Sequence, residues 1–90
     1  MFVPVRLQYR RRKFMPIMQI IGSSTVGEAE GFVMRQVLEA IEVASKYKGR
    51  PIYMGDPKAE PMQNYKIVIT TEIIFPGESD LREFEKNIKP

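Results

Sequence analysis

With 90 residues, 43% of them hydrophobic and 28% charged, the chain has the composition of one small globular domain, 1–90, and not of a disordered or collagen-like polymer. The absence of cysteine and histidine excludes disulfides, thiolate nucleophiles and zinc–thiolate sites, and removes the usual neutral-pH base. The net charge of +3 is unevenly spread, because the first 25 residues carry Arg6, Arg10, Arg11, Arg12 and Lys13 and no acid.

The first 22 residues read as a β-hairpin with the basic run at its turn. Neither Pro4 nor Pro16 can donate a ladder hydrogen bond, so both are expected at outward-pointing backbone positions. Pairing Pro4 with Ile20 and Gln8 with Pro16 satisfies both prolines and sets Val5 opposite Gln19 and Leu7 opposite Ile17. That register gathers Val3, Val5, Leu7, Tyr9, Met15, Ile17, Gln19 and Ile21 on a mostly apolar, helix-facing side and leaves Arg6, Gln8, Arg10, Phe14 and Met18 on the other.

Residues 26–48 are predicted to be a long helix, opened by the capping box Thr25-Val26-Gly27-Glu28 and closed by Lys48, Gly49 and Pro51. Stepping 100° per residue places Glu28, Arg35, Glu39, Glu42 and Lys46 on one solvated strip, with a main apolar stripe through Val33, Met34, Val37, Leu38, Ala40, Ile41, Ala44 and Tyr47. Phe32 and Val43 lie to one side of that stripe, a flank that calls for cover by a terminal helix or a second subunit. A short strand over Arg50–Met54 follows, then an exposed Pro-rich loop over residues 55–61. Tyr65–Phe75 alternates strictly and is rich in β-branched residues, the signature of a strand. Pro76-Gly77 ends it, and Ser79 or Asp80 caps a last helix presenting Leu81, Phe84 and Ile88 on one face.

These elements define an α+β fold: a two-layer domain in the order ββαββα, with an antiparallel sheet and one long helix packed on one face. The order is similar to that of the small translation-initiation factors that help select the start codon, where a basic hairpin also precedes the long helix. The likeness concerns element order, and no functional residue is transferred on it.

Tyr9-Arg10-Arg11-Arg12-Lys13-Phe14 carries the main functional signal. Guanidinium forks and ammonium groups suit phosphates and the bracketing rings suit base faces, so Arg6, Tyr9, Arg10, Arg11, Arg12, Lys13 and Phe14 are the candidate nucleic-acid contacts. The bland alternative is a solvated turn whose rings belong to the core. The segment Ile21-Gly22-Ser23-Ser24-Thr25-Val26-Gly27 leads a strand into a helix N-terminus, but Glu28 and Ala29 stand where a Walker A loop needs Lys and Ser or Thr, so helix capping accounts for it better than a phosphate site. No spacing forces Asp56, Glu60 and Glu72 together, so no catalytic residue, cofactor or metal site is assigned.

The expectation is a non-enzymatic nucleic-acid-binding protein, DNA or RNA undetermined. Its rival is a homo-oligomeric assembly module joined through the long helix or an edge strand, with Met15, Met18, Met34 and Met54 adapting to irregular contacts. The longest mainly apolar run, Phe14 to Gly22, falls short of the roughly 20 residues that span a bilayer. Met1–Val5 runs at once into Arg6 and the basic segment, the reverse of a signal peptide, so a cytoplasmic location is expected.

Overall fold

Ile67–Ile74, the segment of strictest alternation, is the interior strand on which the fold is built. In the computed structural model, which describes residues 5–26, 28–55, 58–59 and 66–88, the strands are β1 (Arg6–Arg11), β2 (Ile17–Ser24), β3 (Arg50–Met54), β4 (Lys58–Ala59) and β5 (Ile67–Ile74). They form one antiparallel sheet in the order β1-β2-β5-β3, with the two-residue β4 also pairing with β5. The helices are α1 (Glu30–Ser45) and α2 (Glu78–Ile88). The α+β, two-layer architecture holds, with two refinements. A second helix shares the covered face of the sheet, and the segment expected to be an exposed loop contains β4.

Burial follows the strand period. On β5, Ile67, Ile69, Thr71 and Ile73 are buried against the helices, while Val68, Thr70, Glu72 and Ile74 are half-buried on the outer face. On α1 the buried positions Val33, Val37, Ala40 and Ala44 recur every three or four residues, one helical stripe of small and β-branched side chains. Small side chains bring the helix close to the sheet. A Cβ on Gly22 would lie 2.6 Å from Val37 Cγ2 and 3.0 Å from Val33 Cγ1, so the glycine in β2 admits the helix.

The flank of α1 that needed cover receives it over half its length. Leu81 and Phe84 of α2 are fully buried, and Val43 and Tyr47 pack against the cluster they belong to. Each such burial contributes on the order of 1.5 to 3 kcal/mol. Phe32, nearer the start of α1, stays 51% exposed.

The hairpin register differs from the proline-based expectation. Leu7 faces Gly22, Tyr9 faces Ile20 and Arg10 faces Gln19; Leu7 is not opposite Ile17. Pro16 lies in the connection, not in the ladder, so it imposes no pairing on Gln8, and Pro4 lies outside the described residues. Since the offset from the expected register is odd, β2 is flipped. Met18, Ile20 and Gly22 point to the helices, and Ile17, Gln19 and Ile21 join Arg6, Gln8 and Arg10 on the outer face.

Both ends of α1 also depart from expectation. Thr25 and Glu28 form no capping box: the helix begins at Glu30 with Ala29 as an N-cap that makes no side-chain bond, while Ser24 Oγ accepts the N–H of Val26 at 3.1 Å. At the other end the Gly49 N–H donates to the Ala44 carbonyl at 2.9 Å and the Lys48 N–H to that of Ser45 at 3.1 Å, a Schellman closure. The left-handed residue in it is Lys48, with φ 65°, not Gly49. Glycine is required at 49 for space, because a Cβ there would sit 2.7 Å from Ile73 Cγ2 and 2.8 Å from Phe75 Cε1.

Candidate nucleic-acid interface

The connection from Arg12 to Pro16 turns the chain at one end of the sheet. The Arg12 N–H donates to the Ile17 carbonyl at 3.0 Å and the Phe75 N–H to the Pro16 carbonyl at 2.8 Å, so both sides of the loop are tied down. At its apex Phe14 has φ 67° and is 100% exposed. A bulky residue gains nothing sterically from the left-handed region, and this ring gains nothing from burial either.

The structure divides the candidate residues into two groups. Arg6 and Arg10 project with Gln8 from the outer face of β1, spaced about 7 Å apart at every second residue. With Lys13 at the turn, they make no ion pair among the described residues. Arg11 points the other way and bridges to Glu78 and, at 3.5 Å, to Glu85, both on α2. Arg12 Nε lies 2.5 Å from Glu72 Oε2 on β5. These two arginines brace the hairpin against α2 and the sheet.

Tyr9 is placed away from the solvent-exposed turn. Its ring meets Phe84 edge-on at a centroid distance of 6.1 Å, and burial pushes its phenol above the usual tyrosine value. Of the two rings bracketing the basic run, Phe14 alone stands in solvent.

Charge is sorted between the layers. Among the described residues, Glu28, Glu30, Glu39, Glu42, Glu78, Asp80, Glu83 and Glu85 lie on or beside the helices, and Glu72, the one acid on the sheet, is held by Arg12. The outer face therefore presents Arg6, Arg10 and Arg50 with its single carboxylate already neutralised. Tyr53 stands on the same face, opposite Glu72 and 60% exposed. Neither Tyr53 nor Arg50 was singled out from sequence, because an isolated ring and cation on a short strand carry no local motif.

Glu28 and Glu30 sit at the entrance to α1, where acids oppose an anion, which removes the remaining case for a phosphate cradle there. Among the described residues no cluster of acidic side chains could hold a metal ion, and no helix is long and apolar enough to cross a membrane. No protein family, curated protein or solved structure matches the chain.

Proposed function

We propose that the protein binds nucleic acid without catalysing a reaction, acting in the cytoplasm and contacting phosphates through Arg6, Arg10 and Lys13 while Phe14 stacks on a base. The observation that carries this reading is Phe14 itself, a fully exposed aromatic ring on a strained backbone, on a hairpin whose Arg6, Arg10 and Lys13 make no ion pair among the described residues. Strained, exposed residues concentrate at functional sites, and base stacking on an aromatic is the use such a ring has beside phosphate-binding groups. Arg11 and Arg12 support the hairpin in this reading and contribute through the field they add.

The test uses Arg10→Gln with Lys13→Gln, which leaves both ion-paired arginines in place. Binding to a single-stranded oligonucleotide should weaken, and the slope of log affinity against log salt should fall by roughly 0.7 for each phosphate that is no longer neutralised. Thermal stability should hardly change, since exposed unpaired charges contribute little to folding. A wild type that binds neither DNA nor RNA at about 50 mM salt, where phosphate contacts are strong, overturns the reading.

A second reading, self-assembly, is favoured by Phe32 at 51% exposure and Leu38 at 50% on α1, and by Ile52 and Tyr53 on the edge strand β3. A dimer joined there is compatible with nucleic-acid binding. An apolar interface holds in high salt, whereas phosphate contact does not.

A further inference from the structure

The topology brings a second basic segment to the same end of the sheet as the hairpin. Ile17 of β2 and Arg50 of β3 both pair with Ile74 of β5, and the Arg12 N–H bonds to the Ile17 carbonyl. Arg12, Ile17, Ile74 and Arg50 thus form the last row of the outer face, with a cation at each edge. Three strand spacings, about 14 Å, separate β1 from β3. In sequence these edges lie in different supersecondary units, so their meeting is a product of the fold.

Beside this row, between the closure of α1 and the end of β5, lies a cleft of about 620 Å³ lined by Ser45, Lys48, Gly49, Arg50, Ile74, Phe75 and Pro76. Its volume is within the range of small-ligand pockets. Ile74, Phe75 and Pro76 supply apolar surface, while Lys48 and Arg50 supply positive charge and make no ion pair among the described residues. The nearby carbonyl end of α1 carries about half a negative charge. Its Ala44 and Ser45 carbonyls are already occupied by the N–H groups of Gly49 and Lys48, and Lys46, Lys48 and Arg50 together outweigh it. The cleft also adjoins the hairpin loop, since Phe75, which helps line it, donates its N–H to Pro16.

Lys48 has the same unusual character as Phe14. These two are the non-glycine residues with positive φ among those described, at 65° and 67°, and both are exposed at this end of the sheet. Helix closure favours glycine at the position of Lys48, while a cation there suits the negative end of the α1 dipole, so the lysine keeps a positive charge at the mouth of the cleft at some cost in backbone strain.

We infer that this cleft is a second anchor for the strand bound by the hairpin: it takes one nucleotide of a single-stranded nucleic acid, its phosphate between Lys48 and Arg50 and its base against Ile74 and Pro76. The inference rests on the hairpin reading and extends it by naming a single strand as the substrate. A duplex keeps its bases stacked and has none to offer either Phe14 or the cleft.

The experiment compares wild type, Lys48→Gln with Arg50→Gln, Lys48→Gly, and the hairpin variant Arg10→Gln with Lys13→Gln. Each is titrated with a labelled single strand of about 12 nucleotides, within the usual site size of single-strand binders, and with the matching duplex, over a range of salt. The Lys48/Arg50 variant should bind the single strand several-fold more weakly, with a salt slope reduced by about 0.7 for the one phosphate held between them. Lys48→Gly should melt higher than wild type and still bind more weakly, a pairing of effects that a purely structural role would not produce. If the hairpin variant loses binding while the Lys48/Arg50 variant keeps the wild-type affinity and slope, the cleft inference falls and the hairpin reading stands. Tighter binding of the duplex than of the single strand also overturns the inference and leaves the hairpin as a phosphate contact. If wild type binds neither form, both proposals fall.

Discussion

Replacing Phe14 by asparagine should move stability and affinity in opposite directions. At φ 67° the backbone of residue 14 is in the left-handed region, which costs a bulky residue on the order of 1 to 2 kcal/mol. The ring is 100% exposed, so no burial offsets that strain. Asparagine enters this region more readily because its short amide bonds locally, and recovering about half the strain gives roughly 0.5 to 1 kcal/mol of added stability, or some 2 to 8 °C in melting temperature for a domain of this size. Loss of a stacked base costs about 1 to 3 kcal/mol of binding energy, equivalent to a roughly 5- to 150-fold weaker complex. Thermal unfolding followed by circular dichroism measures the first effect and fluorescence anisotropy with a labelled single strand the second, with Phe14→Tyr as the control that keeps a ring. A lower melting temperature for Phe14→Asn would mean that the ring is packed. Unchanged affinity would mean that no base stacks on it.

Phe84 is fully buried and its ring lies 6.1 Å from that of Tyr9, 6.3 Å from Tyr47 and 5.4 Å from Phe75, so Phe84→Ala should cost about 3 to 5 kcal/mol, read as a lowered urea midpoint. Gly22→Ala places a methyl group 2.6 Å from Val37 Cγ2, and the overpacking should cost about 1 to 3 kcal/mol in the same assay. Thr71 is buried and its Oγ1 donates to the Tyr53 carbonyl at 2.7 Å, beside the register shift in β3. Thr71→Val should therefore cost about 0.5 to 1.5 kcal/mol and speed amide exchange in Arg50–Met54 relative to β2. The phenol of Tyr9 is raised above its ordinary value of 10.0 by burial, so its contribution is complete below that pH and is lost as pH rises through the folded value, because the unfolded chain gives up the proton first. Melting temperature should fall on titration above about pH 10, and Tyr9→Phe should remove part of that fall; an identical alkaline profile for the variant would contradict it.

What the residues determined by themselves is local. The alternation in Ile67–Ile74, the three-and-four spacing of Val33, Val37, Ala40 and Ala44, and the shared face of Leu81 and Phe84 each follow from the geometry of a single element, so strand, long helix and last helix were readable without knowledge of their neighbours. The basic, ring-bearing turn was readable too, since adjacency in the chain is enough to place it.

Register and orientation depend on partners remote in sequence. Pro16 constrains a ladder only if it lies in one, and the length of the connection, settled jointly by the pairing of β2 with β1 and β5, puts it in the loop. One odd step in that pairing exchanges Met18 and Ile20 for Ile17 and Ile21 on the buried face. The fate of the basic run depended in the same way on the return of α2 and β5, which supply Glu78, Glu85 and Glu72 to Arg11 and Arg12 and a buried ring to Tyr9. Arg10, Lys13 and Phe14 stay accessible because no acid or apolar surface from another described element reaches them, a condition that only the packed arrangement of both layers can impose.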